Sequence, residues 1–184
     1  MRKMKMFFWT AMIMFGLTVT FAESVDKVTP VHVEIDVNET HCLAQNIYFE
    51  AGNQSLDGMA AVADVTLNRV KSSRFPSTIC DVVKQGLKDQ YGGMRRNLCQ
   101  FSWYCDGKSD NISRKIVLTK EWWNSKKIAE DILLEFHGMK EGNWMGITSE
   151  STHYHANYVV PNWINDIGMK RKIQIGSHIF YKFR

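Results

Sequence analysis

Several absences bound what this chain can be. It has no C-x-x-C pair and no H-E-x-x-H run, the short patterns from which a zinc site is most directly read. It has no internal repeat and no low-complexity tract. Its amino-terminal uncharged stretch, Met6 to Phe21, is 16 residues long, short of the roughly 20 that a membrane span requires. It also has little excess charge. Three of the 23 basic residues, Arg2, Lys3 and Lys5, precede that stretch, and none of the 19 acidic ones falls with them, so the rest of the chain is close to neutral. That balance excludes a nucleic-acid binder. The basic clusters that remain, Arg95-Arg96 and Lys170-Arg171-Lys172, read as solvated faces with some attraction for an anionic polymer such as a cell wall.

What is there begins with an address. The basic residues, the uncharged run and the small residues Thr20 and Ala22 around Phe21 read as a secretory signal over residues 1–22, followed by Glu23. An uncleaved anchor is the alternative. Either way the protein is exported, to the periplasm or outside the cell, and touches a membrane only through this segment. Residues 23–38 lack helical period and read as an extended lead-in, leaving 39–184 as one domain, expected to act as a monomer. The four cysteines, Cys42, Cys80, Cys99 and Cys105, all lie in the exported part, where disulfides form. Three pairings can be drawn; Cys42 with Cys80 and Cys99 with Cys105 is the one expected.

Helical signals fill the first half. Leu43, Ile47 and Glu50 fall at i, i+4 and i+7, on the buried stripe of a helix that stops at Gly52-Asn53. Ser55 caps a second helix carrying Met59, Val62, Ala63, Thr66 and Val70. A short third helix starts near Ser77 or Thr78 with Ile79, Val82 and Val83, and Glu121 to Phe136 is amphipathic with Trp122, Ile128, Ile132, Leu133 and Phe136 on its apolar side. Beyond Gly142 the pattern changes to alternation, over Thr148 to Tyr158 and again over Ile173 to Phe183, broken at Gly176-Ser177. Helices first and strands last predict an α+β fold.

Glu50 is the residue that stands out. A carboxyl on an apolar stripe, in the last turn of a helix, meets both desolvation and the negative end of the helix dipole, and both favour its neutral form. A neutral carboxylic acid is what a general acid requires. Two further segments carry polar chemistry. The run Cys99 to Gly107 interleaves Gln100, Phe101, Ser102, Trp103 and Tyr104, suited either to a glycan groove or to an aromatic mini-core. In Thr152 to Tyr158 a strand would put His153 and His155 on one face and Tyr154 on the other. Two histidines on one face are half of a zinc site, but His32, His41, His137 and His178 supply no third ligand at a recognised spacing.

These segments carry a resemblance. Cys42-Leu43-Ala44 through Tyr48-Phe49-Glu50-Ala51, Leu67-Asn68-Arg69-Val70, Cys80-Asp81-Val82-Val83, Gln100-Phe101-Ser102, Thr152-His153-Tyr154-His155-Ala156, Pro161-x-Trp163 and Ile175-Gly176-x-His178-x-Phe180-Tyr181 follow the order typical of the SleB-like, spore cortex-lytic cell-wall hydrolases, from about Cys42 to Phe183. The resemblance implies a lysozyme-like α+β fold and cleavage of peptidoglycan glycan strands between N-acetylmuramic acid and N-acetylglucosamine, with Glu50 as the catalytic glutamate. A separate amino-terminal wall-binding module, frequent in spore-cortex enzymes, has no counterpart in the short lead-in.

The chemistry expected is that of a lytic transglycosylase, because no second carboxylate is well placed. Asp57, Asp64, Asp106 and Asp110 all read as structural or solvated. Glu50 alone would act as acid and then as base, with no cofactor and no metal. Gln100, Phe101, Ser102, His153, Tyr154, His155 and Trp163 are the expected substrate-binding residues, Phe101 and Trp163 by stacking. The alternatives are a zinc-dependent peptidase using His153 and His155, and a non-catalytic wall-binding domain.

Overall fold

The computed structural model describes residues 35–138 and 146–184. The signal segment, most of the lead-in and His32 lie outside the described residues. Helix α1, Val37–Ala51, starts two residues inside the stretch read as lead-in because the Asp36 carboxylate accepts from the Asn38 amide at 2.7 Å and caps it. Its stripe buries Leu43, Ile47 and Ala51 completely, and it ends at Gly52. Ser55 then caps helix α2, Leu56–Lys71, accepting from the Gly58 amide at 3.2 Å.

Helix α2 is the axis of the molecule. Every residue from Ala61 to Arg69 is buried, including Asp64, Asn68 and Arg69. A helix covered all round is a core helix, not a surface one. On one side it meets α1; on the other, Ala61 and Val65 receive Phe180 from the carboxy-terminal sheet. Helix α3, Ile79–Val83, is held against α1 twice, by the Cys42–Cys80 disulfide and by Glu39, whose carboxylate accepts from the Ile79 amide at 2.5 Å.

A hairpin follows that the periodicity did not announce: strands β1, Gly86–Lys88, and β2, Met94–Cys99, antiparallel around a Gly92-Gly93 turn. It leads into a single 3-10 turn, Ser102–Cys105, closed by the Cys99–Cys105 disulfide, so both expected pairings are present. Trp103 of this turn donates its indole N–H to the Asn46 side chain at 3.0 Å, and Asn46 donates to Thr66 at 3.0 Å, a buried chain linking the turn, α1 and α2. After the short helix α4, Arg114–Val117, helix α5, Lys120–Gly138, buries Trp122, Ser125, Ala129 and Leu133 against the other helices, with Ile128, Ile132 and Phe136 packed at the margin.

Strands β3, His153–Ala156, β4, Met169–Ile175, and β5, His178–Phe183, form an antiparallel sheet with β5 in the centre. The register sets Tyr154 opposite Phe180 and Ala156 opposite His178. Helices in the first half and a small sheet near the carboxy terminus make the fold α+β, as expected.

Candidate active site

Glu50 sits in the last turn of α1, one residue before the buried Ala51 and two before Gly52. A Cβ at position 52 would lie 2.5 Å from the Tyr48 carbonyl oxygen, so this close approach requires glycine. The helix end opens onto a cleft of about 620 Å³, lined by Tyr48, Phe49, Glu50, Asn53 and Gln54 from the end of α1, by Ile116 and Glu121 from the α4–α5 edge, and by Tyr158, Ser177 and His178 from the sheet side.

Within that cleft Glu50 is half-buried and held by two donors. The Tyr154 hydroxyl donates to Glu50 Oε2 at 2.8 Å, and the Ser102 backbone N–H donates to the same carboxyl. Burial raises the Glu50 pKa above its ordinary value of 4.5, and this outweighs the opposing pull of Tyr154, of the Arg69 cation and of the Ser102 amide. The Tyr154 pKa is pushed well above 10 by burial and by the adjacent carboxyl, so the hydroxyl stays a donor across the working range. Thus a side chain from each of two distant stretches, α1 and β3, meets a backbone amide from the disulfide-closed turn.

The alternation in β3 places the other candidates on the far face. Tyr154 turns towards Phe180 and His178, while His153 and His155 turn to Trp163, with ring centroids 5.6 Å from it in each case. His155 shares a 3.0 Å hydrogen bond with the Tyr181 hydroxyl and stacks on that ring. His153 is drawn down to a pKa of about 4 by burial and by the Arg69 and Arg74 cations, and so is neutral near pH 7. Trp163, His153 and His155 therefore form one aromatic cluster, and Tyr154, which donates to Glu50, belongs to another with His178 and Phe180. Among the described residues no three His, Cys, Asp or Glu side chains come together as a metal-binding group.

The turn after β2 divides the remaining candidates. Gln100 and Ser102 are exposed, and Ser102 reaches Glu50 through its backbone. Phe101, expected to stack on sugar, is 1% exposed and lies beneath the Arg69 guanidinium, 4.7 Å from ring centroid to Cζ. It is a packing residue because the disulfide-closed turn folds inward at that point.

Sequence reasoning missed three participants. His178 has no site role in the sequence reading; it is a buried ring on the cleft wall, 5.1 Å from Tyr154, with its pKa lowered by burial and by His155. Glu121 lines the same cleft as an exposed carboxylate, whereas Asp57, Asp64, Asp106 and Asp110 do not line it. Arg69 is a cation within a helix core. The period-3.6 pattern marks where an apolar stripe runs, and it gives no signal for a charge that is buried with it.

A family model described as Cell Wall Hydrolase matches residues 53–181, a stretch that begins just after Glu50 and takes in Tyr154 and the whole sheet-side wall. Among solved structures, the catalytic domain of the germination-specific lytic transglycosylase SleB from Bacillus anthracis is similar with a TM-score of 0.53 at 24% identity, over 80% of this chain and 97% of that one. The catalytic domain of the Bacillus cereus SleB protein is similar with a TM-score of 0.51 at 23% identity, over 81% of this chain and 93% of that one. No curated protein matches in a sequence search.

Proposed function

The chain belongs to the cell wall hydrolase family, and from that premise we propose that it cleaves peptidoglycan glycan strands between N-acetylmuramic acid and N-acetylglucosamine as a lytic transglycosylase, with Glu50 as acid and then base. The observation that carries this reading is the Glu50 carboxyl itself: raised in pKa by burial, held on Oε2 by Tyr154 and opening on the cleft. The fold shared with the SleB catalytic domains, one of them described as a lytic transglycosylase, supports it.

Tyr154 occupies Oε2 as a donor, which leaves Oε1 to carry the acid proton. That proton passes to the glycosidic oxygen as the bond from C1 breaks, and positive charge develops on the sugar ring. Glu50, now a carboxylate, takes the proton from the C6 hydroxyl of the muramic acid residue. Oxygen O6 closes on C1, giving a 1,6-anhydro end. Atoms balance without water or cofactor, and Glu50 finishes protonated as it began. The Tyr154 and Ser102 donors stabilise the carboxylate between the two proton transfers.

The polar stretch Asn53-Gln54 and Ser177-His178 is the sugar-binding wall in this reading. Gln54 Oε1 accepts from the Ser177 hydroxyl at 2.8 Å, which joins the end of α1 to the β4–β5 turn. The exposed Tyr158 supplies a stacking surface on the cleft. Gln100 and Ser102 do not line the cleft, and Trp163, His153 and His155 take a supporting role behind β3. The signal over residues 1–22 carries the domain out of the cytoplasm, where its disulfides form.

The test is to digest purified peptidoglycan with the wild type and with Glu50→Gln and to identify the muropeptides by mass. Anhydro-muramic ends from the wild type, lost in the variant, are the expected result. Hydrated reducing ends would make the enzyme a muramidase and direct attention to Glu121 as the second carboxylate. Release of free amines from stem peptides, sensitive to chelator, would replace the reading with a peptidase.

A further inference from the structure

Arg69 is a buried cation without a conventional partner. It is 4% exposed, and no carboxylate lies within ion-pair distance of it among the described residues. Its Nη1 is buried without a hydrogen-bond partner among the same residues. A charge placed this way is costly unless something compensates it. The guanidinium plane is packed against two aromatic rings, with Cζ 4.7 Å from the Phe101 centroid and 5.3 Å from that of Phe75, and Nε donates to the Thr152 carbonyl at 2.8 Å.

Two of those contacts, with Phe101 and with Thr152, fall on the two segments that supply the Glu50 donors. Phe101 immediately precedes Ser102, whose N–H reaches the carboxyl; Thr152 lies two residues before Tyr154, whose hydroxyl does the same. One side chain from α2 thus clamps both. We propose that Arg69 is the positioning residue of the site: it fixes the two donors on Glu50 and is the standing counter-charge for the carboxylate that exists between the two proton transfers. This rests on the reading of Glu50 as acid and base.

The chemistry gives the cation a reason to be there. An acid that must also return as a base needs a pKa that is neither as low as a solvated glutamate nor as high as an isolated buried one. Burial drives Glu50 up, and Arg69 opposes it. An arginine suits the task because it keeps its charge where a lysine in the same place would surrender it. The other titratable or charged groups around the pair are Tyr154 and His153 from β3, His178 from β5, Glu121 from α5, and Tyr48 and Tyr158 along the cleft.

Arg69→Gln removes the charge. The expected result is a kcat at least about tenfold lower, with the alkaline limb of the pH profile moved to higher pH, because the Glu50 proton is held more tightly. Arg69→Lys, whose amine gives up its proton in the same buried place, should follow Arg69→Gln in its pH profile. A variant that only melts earlier, with the profile per folded molecule unchanged, would make Arg69 structural and overturn the proposal. Should Arg69→Gln not fold, NMR titration of the wild-type Arg69 guanidinium decides instead. Its resonances should move with the midpoint of the Glu50 carboxyl and lie flat in Glu50→Gln; indifference to that midpoint overturns the proposal. Full activity in Glu50→Gln would overturn the acid assignment and this proposal with it, while leaving the shared midpoint as a separate observation.

Discussion

Glu50 and Asp64 are both carboxyls raised in pKa by burial, and they sit on adjacent helices. Their surroundings differ in one respect. Asp64 is closed in: Oδ2 accepts from the Thr148 amide at 2.7 Å and from the Thr148 hydroxyl, and Oδ1 accepts from Asn68 at 3.3 Å. Asn68 also donates to the Ser151 carbonyl at 3.1 Å, so the network ties the segment before β3 onto α2. Glu50 has two donors and a cleft in front of it. Burial alone therefore does not mark a reactive acid. What separates the two is that the Glu50 carboxyl lines an open cleft and the Asp64 carboxyl does not.

The comparison breaks most sharply through activity. Glu50→Gln should lower turnover on peptidoglycan by about 10³-fold, the scale of general acid catalysis, with the folded state intact by circular dichroism. Asp64→Asn should do the reverse. It turns an acceptor towards the Thr148 donors into a group with its own N–H bonds, at a cost of about 3 kcal/mol in urea unfolding, while molecules that remain folded keep their specific activity. Equal losses of activity in the two variants would mean that Asp64 belongs to the site.

A finer cut removes one donor. Tyr154→Phe should reduce kcat/KM roughly tenfold, as expected for losing a hydrogen bond to a charged group, and shift the alkaline limb upward, because that hydrogen bond lowers the Glu50 pKa. Kinetics over pH 5 to 9 would check it; an unmoved limb would separate Tyr154 from the titration.

The smallest effect is in stability. The folded pKa of Glu50 is above the ordinary 4.5, so the native state binds its proton more tightly than the unfolded chain does. The contribution is whole below pH 4.5 and is lost as pH rises through the folded pKa. Glu50→Gln should therefore gain on the wild type in melting temperature as pH is raised over that window, and a constant difference would contradict the shift.

How far the sequence discloses all this depends on the residue. The stripe Leu43, Ile47, Glu50 was legible because helical period and a glycine stop are local facts. So were both disulfides and the strand alternation that separates Tyr154 from His153 and His155. Alternation shows that two faces exist, but only the register with Phe180 and the packing on Ala61 and Val65 decide which face meets α2. Phe101 and Arg69 were illegible for a related reason. An aromatic beside Gln and Ser suits a sugar groove or a core equally well, and a charged residue near a helix end reads as solvated unless its distant neighbours are known. The β1–β2 hairpin escaped because its strands are short and mostly exposed, with no alternating stripe to reveal them.

Gly52 and the residues after it perform two tasks at once. They terminate α1 just beyond Glu50, and Asn53 and Gln54 are already the rim of the cleft. Enzymes commonly broaden or narrow their substrate range by lengthening the loops around a fixed centre. Here that route is closed on one side, since an insertion between Ala51 and Ser55 would displace the helix end that carries Glu50. Diversification is left to the opposite bank, around Tyr158, Val159 and Val160, whose exposed side chains bear on no part of the Glu50 hydrogen-bond set. Relatives that differ in the wall chemistry they accept should differ there in length and composition, while the span from Glu50 to Ser55 keeps its count of residues.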